Sequence, residues 1–355
     1  MAESLRELRD ALLLAVRAPA ASADDARTRA RRFMEAVEKA SPDDAEHAVR
    51  EYAEVLTDVD LERLPFAAII GGALVERGAD PDWVEPRLTG RLAVVLEDAV
   101  PVADLANARI NRADPDEDTD QIFAGVREEL KTAHPDQLAA LDALDRMLPP
   151  CMAIYQRSAH ARRYGGGLLD RFEAIGDWSE TAHWMSRLLK VLDNEPFVAI
   201  EPATGLGIEG RLNGVSDNFQ LHTLLMDAFP LANGSVPPRL SPSVAATAWG
   251  VGEVDAGVEV VGTWNLHSAA ALTSEGRVPS GVEGMSTWIW NEGTPADIPP
   301  LDGYRVVLLG PASYERLWPA RRMFANLRAE LGARELAYDE ISGWLGRIIA
   351  TRRPS

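Results

Sequence analysis

FVAIEPATGLGIEGRLNGV, residues 197–215, is the stretch on which the fold turns. It opens with an apolar run, passes through Thr204-Gly205, and then alternates apolar and polar residues, which is the pattern of two short strands joined by a turn. GLGIEG at 205–210 spells G-x-G-x-x-G, but a dinucleotide loop has to follow a strand and open a helix. Here the glycines fall inside a strand, so the match is accidental.

Downstream the same style continues. VEVVGTW at 258–264, STWIWNEG at 286–293 and YRVVLLG at 304–310 read as strands, with helices expected at about 218–229, 314–331 and 339–350. YRVVLLG is apolar on both faces, which suits a central strand covered on two sides.

Upstream of residue 195 the punctuation belongs to helices. Ser41-Pro42-Asp43-Asp44, Asp80-Pro81-Asp82, Asp114-Pro115-Asp116-Glu117 and His134-Pro135-Asp136 each set a polar residue before a proline and an acidic first turn. Leu138, Leu141, Leu144 and Leu148 show the helical spacing of three and four. About eight to ten helices are expected, with stacked pairs over 60–112.

The chain has 355 residues, beyond the size at which one core usually stops growing. The expected fold is α/β or α+β overall. An all-α N-terminal helical array or bundle occupies 1–195, and a Trp-rich α/β domain, a mixed sheet with flanking helices, occupies 196–355.

A net charge of −19 argues against nucleic acid and against an anionic membrane surface, since Lys and Arg hold both. Residues 1–195 hold 38 acids against 24 bases and residues 196–355 hold 17 against 12, so the acidity belongs mainly to the helical part. Lys39, Lys131 and Lys190 are the only lysines, and with the abundant alanine this suggests a GC-rich bacterial genome. One cysteine, Cys151 in the apolar LPPCMAIY, excludes an intrachain disulfide and reads as a small buried hydrophobe. ALLLAV at 11–16 followed by APAASA has the outline of a secretion signal, but Glu3, Glu7 and Asp10 precede it and Arg17 cuts it short. FAAIIGGALV at 66–75 is too short to span a bilayer. A cytoplasmic protein with no membrane partner is expected.

Two segments echo each other: GVSDNFQLHTLL at 214–225 and GTWNLHSAAAL at 262–272. Each follows a strand-like run and carries an Asn shortly before a Leu-His pair. Asp217 or Asn218 is placed to cap a helix holding His222, and Asn265 to cap one beginning near Leu266, with His267 at its start. Two such helix ends would offer N–H groups and positive dipole to an anion, and a neutral histidine there could act as acid, base or ligand. Ordinary caps beside structural histidines produce the same pattern.

Other candidates are weaker. A metal would need ligands beyond the two histidines, from Asp217, His183 or Glu180, and no HxH or HExxH motif is present; no metal site is expected. RSAHARRYGGGLLDR at 157–171 gathers Arg162 and Arg163 before three glycines, a combination able to hold an anion, although a helix–helix joint reads the same. Trp288 and Trp290 at i, i+2 would share one face of a strand as an aromatic wall. No GxSxG surrounds any serine. The sequence points to a ligand- or partner-binding protein, a helical scaffold with an α/β domain for a small molecule or protein partner, its cofactor unknown. The alternative is a hydrolase or transferase using His222, His267 and Asp217 with an anion on Arg162 and Arg163.

Overall fold

The structure is a computed structural model that describes residues 3–18, 23–114, 116–230 and 240–351, with only the backbone at 282 and 283. The chain divides into two compact units, Met1–Leu189 and Lys190–Ser355.

The first unit is helical. Its elements are α1 (Leu5–Arg17), α2 (Ala23–Lys39), α3 (Pro42–Ala53), α4 (Val55–Asp58), α5 (Leu64–Glu76), α6 (Glu85–Ile110), α7 (Thr119–Ala133), α8 (Pro135–Tyr155), α9 (Ala159–Gly165), α10 (Leu169–Ile175) and α11 (Glu180–Leu189). The signal-like run lies in α1, which Ser4 and Glu7 close with a capping box; residues 19–22 of the small-residue run lie outside the described residues. FAAIIGGALV forms the body of α5, and an element apolar all round belongs in a core. Gly72 lets α8 approach closely: a Cβ there would stand 2.8 Å from Cβ of Pro150. Among the described residues no helix is long and apolar enough to cross a membrane.

Two of the proline signals open something other than an α-helix. Asp80-Pro81 starts a 3₁₀ turn, Pro81–Trp83, and α6 begins at Glu85. Asp114 closes a turn by accepting from the Asp116 N–H, and Asp118 caps α7 instead; Pro115 lies outside the described residues.

The second unit contains β1 (Glu195–Glu201), β2 (Leu206–Asn213), α12 (Asn218–Ala228), α13 (Pro242–Trp249), β3 (Asp255–Val261), β4 (Trp264–Ser268), β5 (Pro300–Leu301), β6 (Tyr304–Pro311), β7 (Leu317–Arg321), β8 (Glu330–Glu335) and α14 (Tyr338–Ala350). β1 and β2 form the hairpin, with Gly205 at φ +68° in its turn. The main sheet runs β4-β6-β1-β2-β8 with β5 beside β6; β1 and β6 are parallel and the other pairs antiparallel. A second sheet pairs β3 with β7. The architecture is therefore α+β, a helical array followed by a mixed sheet with flanking helices.

β6 is central and covered on both sides, as YRVVLLG implies. Val307 and Leu309 face one core with Leu221, Leu224 and Leu225 of α12, while Val306 and Leu308 face another with Ile341, Trp344 and Ile348 of α14. A third cluster joins Val260, Trp318 and Ala320 of the small sheet to Phe219 and Met226 of α12. α12 is thus covered by both sheets, and its polar residues are buried with its leucines.

Three local expectations are corrected. Residues 314–331 are β7, a loop and the start of β8, because Trp318 and Ala320 alternate inward, β3 pairs with β7, and Pro319 disfavours a helix there. STWIWNEG forms no strand: a 3₁₀ turn covers Gly281–Thr287, followed by an extended passage along β4. The second echo begins no α-helix. Asn265 and His267 lie within β4, and a short 3₁₀ turn, Ala269–Ala271, follows.

Candidate functional site

In the first echo the helix is real, but its N-terminus is occupied. Asp217 caps α12, its carboxylate accepting from the Gln220 N–H at 2.7 Å and from the Ser216 hydroxyl at 3.0 Å. The Asn218 and Phe219 N–H groups donate to the carbonyls of Gly293 and Asn291. The first-turn donors expected to hold an anion are already used by the chain itself.

His222 sits in the second turn, fully buried, its ring 4.9 Å from that of Trp318 and 6.1 Å from that of Trp264. The Trp264 N–H points at its Nε2 across 3.4 Å. Desolvation first, and the Arg316 charge second, hold its pKa down to about 3. Asn291 lies close enough to oppose that shift, yet Nδ1 of His222 and both side-chain polar atoms of Asn291 close no hydrogen bond.

His267 is equally buried, and the same two causes hold it down to about 4. The strand register separates it from His222. His267 pairs with Leu308 and Leu266 with Leu309, so Asn265 and His267 face the α14 side of the sheet, whereas α12 packs on the other side. The two histidines share a neighbour, Arg316, at the end of the sheet, where its carbonyl accepts from the Gly262 N–H.

Arg316 is the centre of the arrangement. Its guanidinium carbon lies 4.8 Å from the Trp288 ring centre, 4.9 Å from Tyr314 and 5.9 Å from Trp290. Trp288 and Trp290 lie edge to face, ring centres 5.4 Å apart, in an extended passage and not on a strand. Trp290 and Tyr314 are about half exposed, at 48% and 52%, and form the outer rim. Nε and Nη2 of Arg316 are buried without a hydrogen-bond partner, and among the described residues no carboxylate lies within ion-pair distance of the guanidinium.

The passage 288–293 ties the two sides together around the free edge of β4. Ile289 N–H donates to the Leu266 carbonyl beside His267; two residues on, Trp290 and Asn291 carbonyls accept from Asn218 and Phe219 of α12. Along this path Asn218 Oδ1, His222 Nδ1, Asn265 Oδ1, His267 Nε2, Trp288 Nε1 and the Asn291 amide are all buried and unpartnered. Buried polar groups are nearly always paired, so their concentration along this passage singles it out as the candidate site.

The remaining candidates are dispersed. Arg162 is buried and donates to the Tyr155 and Gln156 carbonyls at the end of α8, while Arg163 is exposed on α9. Gly165 is required by packing, since a Cβ there would meet the Tyr155 ring at 2.4 Å. Glu180 accepts from the Trp184 indole, and among the described residues no three His, Cys, Asp or Glu side chains are grouped to hold a metal. Burial pushes the Cys151 thiol up. Arg316, Tyr314 and Asn291 escaped the sequence reading. Expecting a helix over 314–331 hid the first two, and only the juxtaposition of W-x-W-N with Y-x-R in space gives them meaning.

Comparison with known proteins finds no match to a family model, to a curated protein or to a solved structure.

Proposed function

We propose that the C-terminal unit is a binding module for a small anionic ligand, received at the edge of β4 by Arg316 between Trp288, Trp290 and Tyr314. The observation that carries this reading is the guanidinium itself, stacked on aromatic faces with Nε and Nη2 buried and unpartnered and, among the described residues, no carboxylate paired with it. Arg316 is half-buried, and burying two of its guanidinium nitrogens without a partner is costly, a cost that aromatic faces recover only in part. An anion completes the site. The Trp288 indole N–H, buried and unpartnered beside the guanidinium, supplies a further donor to it. Catalysis by His222, His267 and Asp217 is less well supported, because the first two face opposite sides of the sheet and Asp217 caps α12. In this reading the acidic helical unit serves as scaffold or partner surface, in a bacterial cytoplasmic setting that suits the lone buried cysteine.

Thermal unfolding with inorganic phosphate or phenylpropionate tests the proposal. The midpoint should rise with concentration, as for any ligand that binds only the native state. Arg316→Met should abolish that rise while leaving the ligand-free midpoint close to that of the wild type, since the half-buried guanidinium gives up no hydrogen bond from Nε or Nη2. A wild-type midpoint indifferent to both anions, or an undiminished response in Arg316→Met, would refute it.

A further inference from the structure

We propose that the helical unit carries a second binding site, independent of the anion reading at Arg316: a cleft along α6 that takes a straight-chain aliphatic monocarboxylate, with its carboxylate on Arg91. The cleft measures about 410 Å³ and is lined by Thr57 of α4 and by Pro86, Arg87, Gly90, Arg91 and Val94 of α6. That volume lies within the range of roughly 300–1,000 Å³ typical of small-molecule sites.

The shape follows from the helix. Positions 86, 87, 90, 91 and 94 fall on one face, so the cleft runs along about two turns of α6. Gly90 forms its floor. A glycine inside a helix weakens it, and a Cβ on Gly90 would meet nothing within 4 Å, so packing does not require the glycine. The missing side chain gives the cleft its depth.

Two of the three polar groups in the wall are satisfied by the chain. The Thr57 hydroxyl donates to the Glu54 carbonyl at 2.7 Å, and Arg87 Nε donates to the Glu54 carboxylate at 3.0 Å. Arg91 differs. Its Nη2 donates to the Val59 carbonyl at 3.1 Å, its Nε is buried without a partner, and among the described residues no carboxylate pairs with it. Residues 87 and 91 are four apart on the helix, where like charges repel; Glu54 offsets one of them and leaves one positive charge over. No Asp or Glu lines the cleft, although residues 1–195 carry 38 acids against 24 bases. One uncompensated cation calls for one negative charge, and a dianion would bring its second charge toward Glu54. The rest of the wall sets the body of the ligand. Pro86 and the half-exposed Val94 are aliphatic and no aromatic side chain lines the cleft, so an alkyl chain suits it, while an aryl acid has no ring to stack on.

Calorimetric titration of the full chain with hexanoate, and with hexanol as its uncharged analogue, tests this. Hexanoate should bind at least about ten-fold more tightly than hexanol, the scale of one charge-assisted contact. Gly90→Leu fills the cleft and leaves Arg91 in place; it should abolish hexanoate binding, while Arg316→Met should bind hexanoate as the wild type does. The leucine replaces a weak helix former with a strong one, so the fold should survive, which far-UV circular dichroism checks. Arg91→Gln keeps a donor for the Val59 carbonyl and removes the charge, and should weaken hexanoate at least about ten-fold. Hexanoate that fails to bind at millimolar concentration, binds no better than hexanol, or binds Gly90→Leu undiminished overturns the inference. Loss of hexanoate binding in Arg316→Met with none in Gly90→Leu places the acid in the sheet unit, which overturns the cleft and leaves the anion reading standing.

Discussion

Burial holds the Glu85 carboxyl at the start of α6 above the ordinary carboxylate range; its Oε1 accepts from Thr89, while Oε2 is buried without a partner. A raised folded-state pKa means the native protein keeps a proton that the unfolded chain releases. The stability so contributed is complete below the ordinary value of 4.5 and is lost as pH rises above it. Glu85→Gln should therefore stabilise the helical unit at neutral pH by on the order of 1 kcal/mol, because it removes a charge that burial disfavours. It should also flatten the pH dependence of amide exchange in α6 and α8. Exchange rising at neutral pH in the variant would count against this. The histidines behave in the other sense. With His222 at about 3 and His267 at about 4, against 6.5 ordinarily, the unfolded chain takes up protons that the folded one refuses. Stability of the sheet unit is then whole above about pH 6.5 and falls as pH drops through that window toward 4 and 3, by up to about 1.4 kcal/mol per pH unit per histidine. Urea midpoints at mildly acid and neutral pH, followed by tryptophan fluorescence, should lie closer together in His222→Gln and in His267→Asn than in the wild-type chain. An acid loss in both variants as large as in the wild type would rule the histidines out as its source.

At the level of elements, what the sequence made legible depended on whether local and tertiary signals agreed. The hairpin at 197–215 and the central strand at 304–310 were readable because alternation, turn chemistry and two-sided apolarity pointed the same way. The segment 314–331 was not, since its arginines, alanines and leucines favour a helix; the partner that makes β7 a strand is β3, more than fifty residues upstream. The site followed the same rule. Asp217 as a cap was visible locally, but β4 for the second echo and the meeting of Trp288 with Arg316 depend on pairings that no short window contains. The close approach of β2 to β8 is another such pairing, and it is testable. A Cβ on Gly210 would fall 1.9 Å from the Gly332 carbonyl oxygen, a backbone atom that cannot move without parting the strands. Gly210→Ala should cost roughly 1–3 kcal/mol, typical of overpacking, and expose the β8 amides to exchange. Unchanged protection in β8 would show that the two backbones are not so closely apposed.

For the whole molecule, the division at Leu189 follows the change from helical punctuation to alternating strands, and the sheet unit carries its own cores on both faces of β6 and around α12. With 166 residues from Lys190 to Ser355 it is well above the minimum size at which single domains fold alone. Residues 190–355 made as a fragment should therefore unfold cooperatively in urea. Six of the nine tryptophans belong to this unit, at 249, 264, 288, 290, 318 and 344, so intrinsic fluorescence reports on the fragment with no added label. Since Arg316, Trp288, Trp290 and Tyr314 all fall within it, the fragment should respond to inorganic phosphate or phenylpropionate as the full chain does. A cooperative fragment without that response, or a fragment without a transition, would count against the sheet unit as an independent binding domain.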